Sequence, residues 1–319
     1  MPAPIDPGML AFYDTLNAMT PAESHAWPLD RQRREWDALC QKFQAPYPAG
    51  LAVSDVTVRG DVDVPVRLYR PSGATTPLPA VLYAHGGGWV LGGIRTHDDM
   101  CAEIAAAANV VVAAIDYRLA PENPHPAQLR DSLAVLSALR ARPQWFGVDP
   151  SRIVAAGDSA GGQMSAGLAL FLRDKGLPQV QGLALIYPVM GADLGTRSYV
   201  ENANAPCLTR DEMAFYLDAF LGPEGSPARC DPYAVPLSAS SVANLPPTFV
   251  SVAAHDPLRD DGVLFHERLV AAGLPSVLRE EPALTHSFMR ARHHSEACRA
   301  AFAAIVAAIR SLAHDGRLP

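Results

Sequence analysis

The 319-residue sequence predicts an α/β fold in which a mostly parallel central sheet is flanked by helices on both faces and carries a helical cap. Two observations lead to this prediction. From residue 80 onward, short apolar runs typical of buried strands alternate with helical patterns. That alternation is interrupted between residues 190 and 236, and the first 48 residues read as helical, so both segments are candidates for the cap.

The composition indicates a globular chain with a sizeable core. Hydrophobic residues make up 49% and charged residues 18% of the sequence, which argues against disorder. The net charge is −7, from 26 basic and 33 acidic residues. An acidic balance disfavours nucleic acid or an anionic membrane surface as a partner.

The five cysteines are odd in number and show no CxxC spacing, so we expect neither a disulfide framework nor a zinc site. A reducing compartment follows as the default. The N-terminal residues lack the basic and apolar regions of a secretory signal, and charges, Gly and Pro interrupt the apolar stretches before they reach the ~20 residues of a membrane helix. The expected location is the cytoplasm, without stable membrane insertion.

Two helical patterns open the chain, one from Met9 to Met19 and one from about Leu29 to Phe43, and the Pro-rich Ala45–Pro48 ends the second. We interpret this segment either as a lid or as an ordinary amphipathic packing arm. The runs 53–58 and 62–69 then alternate apolar and polar residues. They predict two half-exposed strands, paired antiparallel.

The rest of the chain follows the strand–helix alternation, except for the Gly-, Pro- and Asn-rich stretch 190–236 with its one helix. We therefore assign 1–48 as an N-terminal cap segment, 49–189 and 237–319 as the main α/β domain, and 190–236 as a cap insertion. The predicted strands are 80–83, 110–115, 153–156, 183–187, 248–253 and 276–279. The predicted helices are 98–107, 126–141, 160–174, 209–221, 262–272 and 295–313.

Gly157–Gly161 is a G-x-S-x-G pentapeptide centred on Ser159. It directly follows a predicted strand and directly precedes a predicted helix, which is the setting of a nucleophile elbow. Glycines two residues before and after the serine allow the sharp turn that presents the hydroxyl. The pattern predicts an α/β-hydrolase fold with Ser159 as the nucleophile. The alternative is a glycine-rich turn in which the serine only caps the helix.

His85-Gly-Gly-Gly-Trp89 follows the strand at 80–83. Three consecutive glycines cost conformational entropy but let backbone N–H groups approach a ligand and point the same way. We expect an oxyanion hole formed by Gly87 and Gly88, with the Ala160 N–H at a helix N-terminus as a third donor. Gly86 is a weaker candidate, and we expect His85 to shape the loop. A flexible turn or a phosphate-binding loop is the alternative, although neither phosphate-loop motif matches.

In this architecture an acid and then a histidine follow the serine in the chain. Asp256 lies just after the strand at 248–253, and His286 lies in a loop after the next strand. His286 is therefore the predicted base and Asp256 its orienting acid. The histidines that remain open are His255, His266, His293, His294 and His314. The competing acids are Asp260, Asp261, Glu280 and Glu281, of which Asp260 is also a candidate helix cap.

Together these strings resemble the hormone-sensitive-lipase-like esterases and lipases (bacterial family IV), with Asp116–Glu122 and Asp256–Asp260 as further family-like strings. The resemblance covers roughly 50–319. It implies a carboxylic ester hydrolase without cofactor or metal, acting on short to medium acyl chains, and homodimers are frequent in the family. One departure is Ser287, where the family usually has Gly.

Two side chains near these motifs receive separate interpretations. We expect Trp89 to line the substrate pocket. Within Asp116–Glu122, we expect Arg118 and Glu122 to act as a charged pair that locks a buried loop.

The predicted activity is a carboxylesterase that acts on a small-molecule ester through an acyl-enzyme. An amidase or a hydrolase of a specialised ester is the alternative within this class. A non-catalytic ligand receptor on the same fold is the alternative from another class, although such a receptor typically loses a member of the triad.

Overall fold

Eight β-strands form one sheet in the part of the chain that the structure, a computed structural model, describes: residues 3–20, 24 and 27–319. The order across the sheet is β1-β2-β4-β3-β5-β6-β7-β8. β1 pairs antiparallel with β2, and β2 with β4, while all the remaining pairs are parallel. The predicted mostly parallel sheet and the antiparallel first pair are confirmed. The strands are β1 Leu51–Arg59, β2 Asp63–Pro71, β3 Leu78–Ala84, β4 Val111–Ile115, β5 Val148–Asp158, β6 Gly182–Ile186, β7 Thr248–His255 and β8 Ser276–Thr285.

Helices cover both faces of this sheet. On one face α4, α6 and α9 pack against the strands, and on the other face α3 and α10 do so. The central strands β3, β4 and β6 are buried along their whole length, which explains their continuous apolar sequences. The helices are α1 Pro7–Met19, α2 Leu29–Lys42, α3 Asp98–Ala108, α4 Ala127–Ala141, α5 Pro143–Phe146, α6 Ala160–Asp174, α7 Arg197–Glu201, α8 Arg210–Leu221, α9 Arg259–Ala271 and α10 Glu296–Asp315.

The carboxyl end of the sheet determines where the site forms. β3, β5, β7 and β8 run in the same direction, so the loops that follow them leave from the same edge. At the end of the β7–β8 pair, the register places His255 opposite Thr285. Asp256 directly follows His255, and His286 directly follows Thr285. The two residues therefore leave neighbouring positions at the same edge of the sheet.

Most predicted helices lie within three residues of the observed ones, and α9 shows the clearest difference. It begins at Arg259 rather than near residue 262, and Leu258 is its N-cap. Asp260 does not cap it. Its carboxylate instead accepts a hydrogen bond from the Ser198 N–H in α7, a short helix that the sequence did not predict.

The predicted N-terminal helices are present as α1 and α2, and α8 is the helix predicted within 190–236. Residues 1, 2, 21–23, 25 and 26 of the expected cap segment lie outside the described residues. Arg33 of α2 attaches this segment to the catalytic domain through the carbonyl oxygens of Val90 and Ala120, at 2.8 and 2.9 Å. It also forms a bidentate ion pair with Glu122.

Among the described residues, α10 alone is long and apolar enough to cross a membrane by these two criteria. Sequence analysis did not anticipate this. Half of its apolar window is buried inside the protein, where Ala301, Ile305, Ala308 and Leu312 are fully covered by the sheet and α3. This packing is that of a core helix.

Candidate active site

Ser159 stands at a sharp turn between β5 and α6. Its backbone has φ 55° and ψ −119°, a strained conformation for a residue with a side chain. A Cβ at Gly161 would lie 1.9 Å from the Ala84 carbonyl oxygen, and one at Gly157 would lie 2.5 Å from it. Both flanking glycines are therefore required by the close approach of the β3 backbone, which brings the loop after β3 next to the serine.

Ser159, His286 and Asp256 form a hydrogen-bonded series. His286 Nε2 lies 3.0 Å from Ser159 Oγ, and His286 Nδ1 lies 2.7 Å from Asp256 Oδ2. A carboxylate only accepts hydrogen bonds, so Nδ1 carries the imidazole proton and Nε2 is free to accept the serine proton. The structure thus brings together the three residues that the motif order selected.

The acid end of this series is fixed by burial and by the backbone. Asp256 is fully buried, and its second oxygen accepts a hydrogen bond of 2.9 Å from the Leu258 N–H. The Tyr187 ring packs edge-on against the His286 imidazole at 4.7 Å between centroids. These contacts hold the imidazole in one orientation toward Ser159.

The competing residues lie elsewhere. The imidazole of His255 hydrogen-bonds the Ala3 carbonyl oxygen, and His266 hydrogen-bonds Ser276. Asp261 accepts hydrogen bonds from the N–H groups of Met190 and Gly191 at 2.7 and 2.8 Å. None of the three belongs to the hydrogen-bonded series at Ser159.

The glycine loop after β3 lies beside the serine. Gly87 and Gly88 line the cavity and adopt φ values of 126° and 58°, in the region that favours glycine. The Gly86 N–H instead donates to Asp158 Oδ1 at 3.1 Å. Ala160 is the first residue of α6, where backbone N–H groups have no acceptor within the helix.

His85 holds this loop from behind. Its Nδ1 lies 2.9 Å from the Gly86 carbonyl oxygen, and its ring stacks on Tyr117 at 4.1 Å. The Tyr117 hydroxyl donates to the His85 carbonyl oxygen. Burial lowers the pKa of His85 to about 3, so the ring stays neutral and Nδ1–H donates to Gly86.

Sequence analysis missed Asp158, which occupies the first unspecified position of the G-x-S-x-G motif. Its carboxylate accepts hydrogen bonds from the Tyr83 hydroxyl and the Gly86 N–H, and it lies 3.2 Å from His97 Nε2. Burial alone would raise the pKa of Asp158, but the neighbouring His97, Arg290 and Tyr83 outweigh burial and hold it well below the usual range. Asp158 thus joins the elbow to the glycine loop as a buried anion.

The prediction for Trp89 is wrong. Trp89 is fully buried and does not line the cavity. Its Nε1–H donates to Gln163 Oε1 at 3.0 Å, and its ring stacks on Phe220 at 4.1 Å between centroids. The hydrogen-bond partner of the indole N–H and the stacked aromatic ring both lie behind the loop. The Trp89 side chain therefore packs there and not in the cavity.

The prediction of a charged Arg118–Glu122 pair is also wrong. Arg118 binds Asp131 on α4, at 2.7 Å in the shortest contact, and Glu122 binds Arg33. Both residues still hold the 116–122 loop, each toward a different helix.

A cavity of about 530 Å³ opens onto Ser159 and His286. Both candidate cap segments contribute to its walls, α2 through Trp36 and Leu39 and α8 through Met213 and Tyr216. Ser287, the departure from the family pattern, lines the same cavity in a left-handed conformation with φ 57°.

One group of metal-ligand side chains, Asp99, Glu103 and His293, lies together in the described part of the chain. Arg292 Nη2 lies 2.5 Å from Asp99 Oδ2 and 2.7 Å from Glu103 Oε1. The guanidinium already supplies the positive charge that these carboxylates require, so the group is an ion-pair cluster.

Comparison with known proteins agrees with this architecture. A family model described as the alpha/beta hydrolase fold matches residues 81–290. The carboxylesterase NlhH of Mycobacterium tuberculosis is 43% identical over 242 residues, covering 75% of this chain and 76% of the relative. An ethyl acetate hydrolase of Pseudomonas putida is 33% identical, covering 83% of this chain and 85% of the relative. The solved esterase of Pyrobaculum calidifontis superposes with a TM-score of 0.88 at 32% identity, covering 97% of this chain and 99% of that one.

The sheet order and the family match define the protein as an α/β hydrolase. Within that class, the chain belongs to the hormone-sensitive-lipase-like esterases and lipases (bacterial family IV).

Proposed function

We propose that this protein hydrolyses carboxylic esters with short to medium acyl chains, with Ser159 as nucleophile, His286 as general base and acid, and Asp256 as the acid that orients His286. The observation that carries the proposal is the unbroken hydrogen-bond series from Ser159 Oγ to Asp256, buried at the carboxyl end of the sheet. The names of the relatives, carboxylesterase and ethyl acetate hydrolase, support ester substrates of this size.

The reaction follows from the geometry. As Ser159 Oγ attacks the ester carbonyl carbon, its proton passes to His286 Nε2, and Asp256 stabilises the imidazolium that results. The carbonyl oxygen becomes an oxyanion, which accepts hydrogen bonds from the N–H groups of Gly87, Gly88 and Ala160.

When the tetrahedral intermediate collapses, His286 returns the proton to the departing alkoxide, and the alcohol leaves behind an acyl-enzyme on Ser159. A water molecule then attacks the acyl carbonyl carbon, again with His286 as base. The acid product leaves, and the Ser159 hydroxyl is restored. Every proton transfer uses these side chains, so the proposal includes no metal or organic cofactor.

The substrate site lies between the sheet and the two segments proposed as a cap, 1–48 and 190–236. A cavity of about 530 Å³ is large enough to accommodate a small ester. We also propose a cytoplasmic location, which the five free cysteines support, because thiols persist in a reducing compartment. A homodimer remains a prediction from the family resemblance.

The decisive experiment compares the wild-type protein with Ser159→Ala on nitrophenyl esters from acetyl to palmitoyl. We expect the substitution to lower kcat on the order of 10⁴–10⁶-fold, because it removes the hydroxyl that is hydrogen-bonded to His286 Nε2. A fluorophosphonate probe should label Ser159 in the wild type and nothing in the variant.

A Ser159→Ala variant that keeps near-full activity would overturn the proposed nucleophile. An activity maximum on the long acyl chains would overturn the size assignment. A matched nitroanilide that is cleaved faster than its ester would replace the esterase by an amidase.

A further inference from the structure

The helix α8, which belongs to the segment 190–236, contacts the glycine loop at two consecutive residues. The Phe220 ring stacks on Trp89 at 4.1 Å and an interplanar angle of 7°. The Tyr216 ring lies over Gly88, where an added Cβ would approach three ring atoms to 2.4–2.7 Å. Tyr216 and Phe220 are four residues apart, so they share one face of the helix.

The rest of α8 is firmly attached to the protein. Thr209 and Glu212 form a capping box at its N-terminus, and Met213, Leu217 and Leu221 are buried in the core. A helix held in this way keeps the backbone of Tyr216 in place over the loop. The ring therefore acts as a fixed wall for the loop beneath it.

Gly88 is the residue of the loop that depends most on such a wall. Its φ of 58° lies in the left-handed region, and glycine populates several other regions with nearly equal ease. Asp158 fixes the near end of the loop through the Gly86 N–H, and Gln163 fixes the far end through Trp89. Between these two points, the Tyr216 ring fills the side of Gly88 on which a side chain would lie.

The Tyr216 side chain lines the cavity, and its hydroxyl makes no hydrogen bond to another described residue. Burial raises the pKa of Tyr216, which keeps the phenol neutral. A Tyr216→Phe substitution keeps the ring and removes only the hydroxyl, so it tests whether the ring alone is responsible for the effect.

We propose that Tyr216 is a positioning residue for catalysis: its ring holds the Gly88 N–H in the orientation that binds the oxyanion, so that α8 tunes the chemical step as well as the shape of the cavity. This inference rests on the oxyanion role proposed above for Gly87, Gly88 and Ala160. It predicts an effect on the transition state, where the oxyanion exists, and little effect on the ground-state ester.

The test uses Tyr216→Ala, Tyr216→Phe and a matched control, Phe215→Ala. Phe215 is the adjacent residue on α8 and also lines the cavity. Its ring packs edge-on against the Tyr216 ring at 5.5 Å between centroids, so Phe215→Ala removes a neighbour of Tyr216 and leaves the ring over Gly88 in place. The measurements are kcat and KM on a nitrophenyl butyrate and the inhibition constants of two ketones. A trifluoromethyl ketone forms an oxyanion on the serine, and its non-fluorinated methyl analogue serves as the ground-state comparison.

We expect Tyr216→Ala to lower kcat on the order of 10–100-fold, because small misplacements of catalytic donors have effects of this size. KM and the methyl-ketone constant should change by less than about threefold, while the trifluoromethyl-ketone constant weakens in parallel with kcat. Tyr216→Phe should restore kcat to within about threefold of the wild type. Phe215→Ala should act on KM, with kcat retained.

The inference is overturned if Tyr216→Ala keeps the wild-type kcat, if only KM changes, or if Phe215→Ala lowers kcat equally. A loss in Tyr216→Phe as large as in Tyr216→Ala would assign the effect to the hydroxyl and overturn the role of the ring. Circular dichroism melting of each variant separates these results from misfolding. A failure of the proposed function has a different signature, since the wild type would then hydrolyse esters no faster than Ser159→Ala.

Discussion

Ser159 lies between two buried aspartate–histidine pairs that look alike and do different work. On one side, Asp256 lies 2.7 Å from His286. On the other side, Asp158 lies 3.2 Å from His97. All four residues are at most 4% exposed.

The pairs differ in what the second imidazole nitrogen faces. The free nitrogen of His286 faces Ser159 Oγ, so that pair can move a proton to and from the nucleophile. The second nitrogen of His97 faces Thr96 Oγ1 at 2.8 Å, so that pair contacts a neighbouring loop residue and not the nucleophile. An aspartate–histidine pair thus becomes catalytic through the third group that it reaches.

Replacing each histidine by glutamine gives the largest expected contrast. We expect His286→Gln to lower kcat on the order of 10⁴–10⁶-fold, because it removes the base from the serine. His97→Gln should lower kcat by no more than about tenfold, since the amide can still hydrogen-bond Asp158. Steady-state kinetics on one nitrophenyl ester measures both. Equal losses of kcat in the two variants would contradict the different roles of the two aspartate–histidine pairs.

The aspartates give a smaller contrast. Asp256→Asn should lower kcat about 10⁴-fold, because an amide favours the wrong tautomer of His286; that value is the one known for the equivalent change in a serine protease. Asp158→Asn retains an oxygen that can accept from the Gly86 N–H. We expect it to lower kcat about tenfold with little change in KM. A KM effect without a kcat effect in Asp158→Asn would show that the pair shapes substrate binding instead.

The histidines behind the glycine loop contribute a pH dependence of stability. Burial lowers the pKa of His85 to about 3 and also lowers that of His97. Between pH 3 and about 6.5 the unfolded chain therefore binds protons that the folded protein does not, and stability is lost as the pH falls. From the His85 shift alone, we expect the free energy of unfolding to be about 2 kcal/mol lower at about pH 5 than near neutrality.

The measurement is urea unfolding of the wild type and His85→Gln at both pH values. Asp261 opposes the trend, because burial raises its pKa to about 7 and its contribution declines as the pH rises. The difference between the two proteins cancels that contribution. Parallel pH profiles would mean that His85 takes up its proton in the folded state as readily as in the unfolded chain.

Much of this site could be predicted from the sequence because it is built from local patterns. The elbow at Ser159 and the glycine loop each occupy a few consecutive residues with a turn that only glycine permits. Asp256 and His286 followed from chain order, since parallel strands deliver successive loops to the same edge. The strands and most of the helices could also be predicted, because hydrophobic periodicity is a local pattern too.

What the sequence did not reveal depends on contacts between distant segments. Asp158 stands at an unspecified motif position, and its role depends on Gly86, 72 residues away. Trp89 was expected to line the cavity, but Gln163 and Phe220 hold its side chain elsewhere. Arg118 and Glu122 are four residues apart in the sequence. However, Arg118 binds a residue of α4 and Glu122 binds a residue of α2.

The position and register of β8 affect how the enzyme loses activity on heating. β8 is an edge strand whose one neighbour in the sheet is β7, and it delivers His286 directly after its last residue, Thr285. Alternate residues of a strand point to opposite faces, so a slip of one position would turn the imidazole away from the serine. Local unfolding of β8 is therefore expected to abolish turnover while the interior strands remain folded. We therefore expect inactivation on heating to precede melting, so that the outermost strand sets the lifetime of the catalyst.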